Sequence, residues 1–399
     1  MKIAIMGFGV VGSGVGELLI TNAKNIAKKA GDTIEVKYIL DLRDFPDSEY
    51  KCFTKDFNDI LNDPEVEAVI EAMGGTVPAY DFTKKLLLAG KHVVSSNKEL
   101  VAKHGTELLQ IAKEKSINYL FEASVGGGIP IIRPLISSLT GNDITGIVGI
   151  LNGTTNYILT QMIKNGKSFA EALSEAQEKG YAEKDPTADV EGIDTCRKIA
   201  ILASLAYGKN VNCEKIPTEG ITKITTEDAK YAQAMGYSVK LVGQCVKAKK
   251  GVFARVCPAF IDLDSPLANI SDVFNGILVQ GESLGDVMFY GRGAGKLPTA
   301  SAMVSDLVDV AKHRNTNIRI LWNEADEDYL KDGKAQKYPY YLRFMGDADK
   351  LKGYKVTKLP GLDNEFAIIT KAASEEELNE LLKSEPFSNC EVLGKIRVI

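Results

Sequence analysis

Asp194 and Lys198 stand four residues apart at the head of the run Ile199-Ala200-Ile201-Leu202-Ala203-Ser204-Leu205-Ala206-Tyr207, which stops at Gly208. A helix apolar nearly all round is a buried helix, and residues at i and i+4 share one of its faces. At about 100° per residue, Ile201 and Leu205 fall on that same face. An ammonium on an apolar stripe is costly unless it is paired or put to use. Burial also moves a lysine pKa toward neutrality more readily than that of other cations. So tuned, a lysine can exchange a proton with an alcohol or polarise a carbonyl. Taken alone, the pair reads first as a structural ion pair at a helix N-terminus. The loop ahead of it adds Glu183, Asp189 and Glu191, carboxylates that could hold a substrate ammonium, and this shifts weight to the chemical reading.

The elements that must position these groups begin with Lys2-Ile3-Ala4-Ile5-Met6, a buried strand followed by Gly7-Phe8-Gly9-Val10-Val11-Gly12. A helical pattern with Val15, Leu18, Leu19 and Ile26 on one side follows it. Further strands are expected at Glu35–Leu40, Ala68–Ala72, His92–Ser96 and Ile117–Glu122, with a helix over Glu99–Lys115. Alternating strands and helices predict a doubly wound parallel sheet of the α/β class. In that setting the glycine triplet serves a tight turn, a close backbone approach to a pyrophosphate and tight helix–strand packing. A dinucleotide is therefore the expected cofactor. Asp41, ending the second strand, could bind ribose hydroxyls and favour NAD. Arg43 could meet a 2′-phosphate and favour NADP, so the choice between them stays open.

Beyond the glycine hinge Val125–Pro130 the character changes. A helix is expected from near Ile131, a strand over Ile144–Leu151, and a helix entered through Asn152-Gly153-Thr154-Thr155-Asn156-Tyr157. Ser168 with Glu171 makes a capping box and Gly180 the matching stop. Gly291-Arg292-Gly293-Ala294-Gly295 precedes a helix over Ser301–Lys312 that is expected to pack back on the first domain. These features set a dinucleotide-binding domain at 1–130, completed by about 296–315, and a second α+β domain at 131–295. A polar linker follows at 316–339, and a small unit at 340–399. In that last unit strands are expected at Tyr340–Phe344, Tyr354–Leu359, Glu365–Thr370 and Cys390–Ile399, with a helix over Ser374–Lys383.

The 399 residues, 25% charged and 45% hydrophobic, fit a globular protein with room for two or three cores. A net charge of −5 gives no reason to expect nucleic acid or an anionic membrane as partner. No run approaches the roughly 18 apolar residues of a membrane span, and the opening segment reads as a strand instead of a signal peptide. The six cysteines lack a CxxC pair, which argues against zinc or a disulfide framework and makes the cytoplasm the default compartment. The three histidines, His92, His104 and His313, fall in no motif and read as structural or surface residues.

The spacing from Ala176 through Gly180, Asp185-Pro186, Asp189-Val190, Gly192 and Asp194 to Lys198 resembles the signature of the homoserine dehydrogenase family. Gly7–Gly12, Asn97-Lys98, Glu122–Pro130, Asn152–Tyr157 and Gly291–Gly295 are similar to further family blocks, over essentially all of 1–315. The resemblance implies NAD(P)-linked interconversion of L-homoserine and L-aspartate 4-semialdehyde, in threonine, methionine and isoleucine biosynthesis, by a homodimer or dimer-based oligomer. Carried over, it places catalytic lysines at Lys198 and Lys98, and substrate-holding carboxylates at Glu183, Asp189 and Asp194. Cofactor contacts would come from Gly7, Phe8, Gly9, Val10, Val11, Gly12, Asp41, Arg43, Gly74, Ser96, Lys98 and Gly295. It also implies a structural monovalent cation (Na+) at Glu122, Val125, Gly127 and Ile129. The tail resembles an ACT domain, but Met345–Gly353 is too short for the usual first helix, and the glycine-bearing ligand turn is missing. Threonine inhibition and a degenerate module for oligomer contacts are both open readings.

Two competitors remain at this level. An aldehyde dehydrogenase forming an acyl-enzyme would need an activated cysteine, for which Cys196 is the candidate near the motif. A silent amino-acid sensor would have no need of Lys98 and Lys198 beside Glu183 and Asp194.

Overall fold

The computed structural model describes residues 1–351 and 353–399. The first unit runs β1 (Lys2–Met6), α1 (Val10–Thr21), α2 (Ala23–Ala30), β2 (Glu35–Leu40), β3 (Phe53–Thr54), α3 (Phe57–Leu61), β4 (Val66–Glu71), α4 (Ala79–Leu88), β5 (His92–Ser95), α5 (Lys98–Glu114) and β6 (Tyr119–Leu120). Strands β1, β4, β5 and β6 are buried on both faces, as a parallel sheet under two helix layers requires, while β2 and β3 at one edge are partly open. The order β3-β2-β1-β4-β5-β6 reverses direction of travel between β1 and β4, the crevice where doubly wound sheets bind ligands. The last strand is shorter than its sequence suggests. Phe121 leaves the extended region (φ −152, ψ 36) and Glu122–Ser124 form a single 3₁₀ turn.

The second unit contributes β7 (Ile144–Ile150), α6 (Gly153–Asn165), α7 (Phe169–Glu178), α8 (Thr187–Val190), α9 (Ile193–Tyr207), α10 (Thr226–Met235), β8 (Tyr237–Ala248), β9 (Gly251–Asp262), β10 (Phe274–Gly281) and β11 (Gly285–Arg292). Caps set these helices: Asn152 accepts from the Thr155 amide, and Ser168 with Glu171 forms the full capping box. The helix expected from near Ile131 is short, helical from Ile132 and wound as a π-helix over Pro134–Ser138. α11 (Lys296–Lys312) begins five residues before Ser301. Pro298 lies in its first turn, where the missing amide costs nothing. The helix packs on α1 so closely that a Cβ at Gly14 would lie 3.0 Å from the Lys296 carbonyl oxygen and 3.1 Å from Ala300 Cβ.

The tail forms β12 (Tyr340–Met345), β13 (Glu365–Ile369), α12 (Glu375–Lys383) and β14 (Glu391–Val398). Tyr354–Leu359 is not a strand. Thr357 alone bridges to Ala367, and Pro360 with Gly361 ends any extension. Lys352, inside the short Met345–Gly353 connection, lies outside the described residues. The tail's strands are not a sheet of their own: β14 pairs in parallel with β9, giving the order β11-β10-β7-β8-β9-β14-β12-β13. Nor does 316–339 hang as a free linker. Trp322 is buried edge-on to Phe121, with its indole N–H donated to Asn210. The Tyr329 and Lys331 backbones bond Val252 of β9.

Candidate active site

Gly192, in the left-handed region at φ 81, turns the chain from α8 into α9 and puts Asp194 in the first helical turn. A side chain there would also crowd Val256 and Thr218 at 3.0 and 3.2 Å. Asp194 Oδ2 lies 2.7 Å from Lys198 Nζ, and Asp194 Oδ1 lies 2.8 Å from Lys98 Nζ. Lys98 opens α5 just past the carboxyl end of β5, behind the Asn97 cap. Asp194 and Lys198 are 4% and 8% exposed, whereas the Lys98 side chain is 40% exposed. Lys198 also donates to the Leu151 carbonyl at 2.7 Å. Asn152 Nδ2 donates to Asp189 Oδ1 (2.7 Å) and Asp194 Oδ2 (3.0 Å), tying the two carboxylates together.

The charges are mutually tuned. Burial alone would raise the Asp194 carboxyl, but the two ammoniums outweigh it and hold the group well below the usual carboxylate range. Burial pushes the Lys198 ammonium down, with Lys98 adding repulsion and Asp194 opposing. The field of Asp194 pushes Lys98 up. Burial raises Asp189. One lysine is therefore eased toward neutrality while the other is kept charged.

On the same sheet edge, Gly7, Gly9, Asp41, Arg43, Lys55, Met73, Gly74 and Pro78 are among the residues lining a cleft of about 570 Å³. Gly7 takes φ 86, and a Cβ at Gly12 would stand 1.9 Å from the Gly7 carbonyl oxygen. At Gly9 the nearest atom to such a Cβ is Arg43 Nη2 at 3.8 Å, which leaves the helix entrance open. α1 has no side-chain cap, so its first amides are free for an anion such as pyrophosphate. The Phe8 amide donates to Asp41 Oδ2 at 2.8 Å, while the Phe8 ring is packed against Phe45, Tyr50 and Phe53. Val10 is exposed at the helix start, with Val11 behind it. The same Asp41 carboxylate takes Arg43 Nε (3.0 Å), Nη2 (2.8 Å) and backbone N–H (3.0 Å).

A family model described as homoserine dehydrogenase matches residues 130–308, and one described as homoserine dehydrogenase, NAD binding domain, matches residues 7–122. A homoserine dehydrogenase from Pseudomonas aeruginosa is 44% identical over 354 residues, 86% of this chain and 82% of its own. The chain belongs to the homoserine dehydrogenase family. It is an NAD(P)-dependent oxidoreductase built on a Rossmann-like sheet and a separate mixed sheet. Among solved structures, the Thiobacillus denitrificans homoserine dehydrogenase superposes with a TM-score of 0.89 at 34% identity, over 100% of this chain and 98% of that one. A hyperthermophilic archaeal homoserine dehydrogenase in complex with NADPH superposes at 0.68 and 29%, over 80% and 99%.

Within this homoserine dehydrogenase fold, Lys98, Asp189, Asp194 and Lys198 converge. Glu183 does not join them: its side chain is exposed, and its backbone carbonyl accepts from Gln177 at 3.0 Å. The Ser96 amide donates to the Glu71 carbonyl at 3.2 Å, and Gly295, at φ 127, opens α11. Glu122 turns its carboxylate onto the amides of Ile131, Ile132 and Arg133 at 2.7, 2.9 and 2.7 Å. In the loop between, the Ile129 amide bonds the Gly126 carbonyl, and Val125 is buried. A Cβ at Gly127 would stand 2.5 Å from the Gly293 carbonyl oxygen. Cys196 donates to the Cys213 carbonyl, and burial pushes its thiol up to about 11, the reverse of an activated nucleophile. His92 takes the Asn118 amide, His104 stacks on Tyr80, and His313 bonds the Asp309 carbonyl. Asn152 and Lys55 were not assigned to the site from sequence. Asn152 stands out in the sequence as the head of the Asn152–Tyr157 block after the strand expected at Ile144–Leu151, with nothing to tie it to Asp189 or Asp194, and Lys55 carries no local signal.

Proposed function

We propose that the chain interconverts L-homoserine and L-aspartate 4-semialdehyde, with Lys198 as the proton-exchanging group and Lys98 as the charged group that orients the reacting oxygen. The sharing of Asp194 between these two lysines carries this reading. An ammonium has three donors, and Lys198 spends one on Asp194 and one on Leu151, leaving the third for the substrate oxygen. In the oxidative direction neutral Lys198 accepts the hydroxyl proton; in the reductive direction its ammonium returns a proton to the developing alkoxide. Lys98, kept protonated by Asp194, stabilises that same oxygen. Asp189, with Oδ1 fixed by Asn152, offers Oδ2 to the substrate ammonium. The nicotinamide, when bound, supplies the hydride chemistry.

The uncapped start of α1 and the open approach at Gly9 fit a dinucleotide pyrophosphate, with Gly74, Ser96 and Gly295 lining the remainder of its path. NADP is the better-fitting form. Both Asp41 oxygens are already taken by Phe8 and Arg43, while the Arg43 guanidinium and Lys55 offer two cations to a 2′-phosphate. Glu122, Val125, Gly127 and Ile129 fit a monovalent cation. The Arg133 backbone amide meets Glu122 and its guanidinium meets Asp306, while burial, with Glu122 next, pushes Asp306 up to about 8. The enzyme works in the cytoplasm as a homodimer, which the exposed Met288 and Tyr290 on the sheet-edge strand β11 support.

The test is nicotinamide reduction by the purified protein with L-homoserine, in parallel NADP and NAD reactions. Turnover that is lost in Lys198→Ala supports the assignment. Absence of turnover with either cofactor, while one still binds, would overturn it.

A further inference from the structure

Glu71 ends β4 fully buried, beside the crevice and between the two loops that the reaction needs. Its Oε1 accepts from the Met73 amide at 3.0 Å, at the head of the Met73-Gly74-Gly75 loop that borders the cofactor cleft. Its Oε2 accepts from Ser95 Oγ at 2.6 Å. Ser95 Oγ in turn accepts from the Asn97 amide at 3.0 Å. Asn97 then closes a ring: Nδ2 donates to the Gly75 carbonyl at 2.6 Å, and Oδ1 accepts from the Leu100 amide, capping α5. The first residue of that helix is Lys98. One carboxylate thus laces the cofactor loop to the lysine turn.

We propose that Glu71 is a positioning residue, holding the Met73–Gly75 loop and the Ser95–Lys98 turn in one register so that cofactor and catalytic lysine are set together. A carboxylate without a countercharge is an expensive way to fill that spot; two amide or hydroxyl donors could have been met by a neutral side chain. Burial raises its carboxyl to about 7, with the Ser95, Met73 and Asn97 hydrogen bonds opposing. The phenol of Tyr119 on β6 is the titratable group that faces it. Protonation would make Glu71 a donor where Met73 and Ser95 already donate. The Met73 amide keeps its acceptor, so the proton falls on the Ser95 side, where the hydroxyl must turn from donor to acceptor while still taking the Asn97 amide.

The inference rests on Lys98 and the cleft working as proposed, so wild type is assayed first; loss of homoserine turnover there sinks that reading, not this one. NADP binding to the holo-length protein is then followed by calorimetry from pH 6 to 8.5 for wild type and Glu71→Gln. The ratio of the two Kd profiles cancels the cofactor's own titration. The expected ratio is near one at pH 6, rising to about tenfold at pH 8.5, the effect of one pKa unit between free and bound forms. A pH-independent ratio means packing alone and overturns the proposal. Ser95→Ala, which cuts the relay without touching the carboxylate, serves if Glu71→Gln fails to fold. It is expected to lower kcat about tenfold with homoserine KM within about twofold and, where Glu71→Gln folds, to leave that variant no worse in the double. Additive losses, or an unchanged kcat in Ser95→Ala, also overturn it.

Discussion

Lys98 and Lys198 come from different domains and meet on opposite oxygens of one buried carboxylate, Asp194, at 2.8 and 2.7 Å. The two ammoniums offset the cost of burying the carboxylate, and the carboxylate in turn sets the charge on each lysine. The trio is a structural joint and a charge-tuning device at once.

Replacing Lys198 with Ala should lower kcat by about 10² to 10⁴, the range of a lost general acid–base, with cofactor affinity unchanged. Steady-state kinetics in both directions, beside calorimetric binding of the cofactor, checks this. Near-wild-type turnover would remove Lys198 from the chemistry.

Asp194→Asn should act on pH as well as rate. Burial and the Lys98 charge would then press on Lys198 with Asp189 alone opposing them, so its pKa falls further, and the acid limb of kcat/KM for homoserine oxidation moves to lower pH. Breaking the buried pair costs about 3–5 kcal/mol of stability. The folded carboxyl is depressed, so its contribution is full above the unfolded value of about 3.9 and fades as pH falls through the folded one. Melting curves of the two proteins should therefore keep their separation from pH 7 to about pH 4 and begin to converge only below it.

Arg43→Ala should raise the KM for NADP by about tenfold, the scale of one charge-assisted hydrogen bond. The KM for NAD should hold or fall, because Asp41 is released to meet ribose hydroxyls. Equal KM changes for the two cofactors would show that Arg43 does not read the 2′ position.

The tail should be felt at the substrate. Arg397 of β14 is bonded to Glu219 (2.7 Å) and Glu375 (2.6 Å). Two residues on, the Ile221 amide bonds the Val190 carbonyl at 2.8 Å, and Gly220 leaves no room for a Cβ against that carbonyl oxygen. The strand end therefore presses on the helix that carries Asp189. Arg397→Ala is expected to raise homoserine KM roughly three- to tenfold, a coupling of about 1 kcal/mol, with a smaller effect on kcat. Kinetics at saturating cofactor, with and without threonine, checks it and tests the regulatory reading of the tail in the same experiment.

Local patterns told most where one residue decides one turn. The Gly7–Gly12 motif, the Ser168–Glu171 box and the apolar helix behind Lys198 are all legible because propensity and burial agree there. The Asp194–Lys198 pair was legible as an i,i+4 spacing, whereas Lys98 entered through the family resemblance, since no spacing says that α5 and α9 meet. Asn152 and Glu71 escaped for a related reason: each looks like an ordinary strand end until the strands are laid side by side. The polar run at 316–339 misled because one buried Trp322 outweighs many charges. The tail looked separate because a strand's partner lies outside the strand.

That last pairing has a consequence for how the chain is made. Arg397 and Val398 sit beside Ala259 and Phe260, partners separated by well over a hundred residues. During synthesis the edge of β9 is exposed and hydrophobic long before its neighbour emerges. Closing that gap pays the loop entropy of a distant, parallel contact, the slow kind. The nascent catalytic unit must therefore wait, half-edged and prone to self-association, for its final strand.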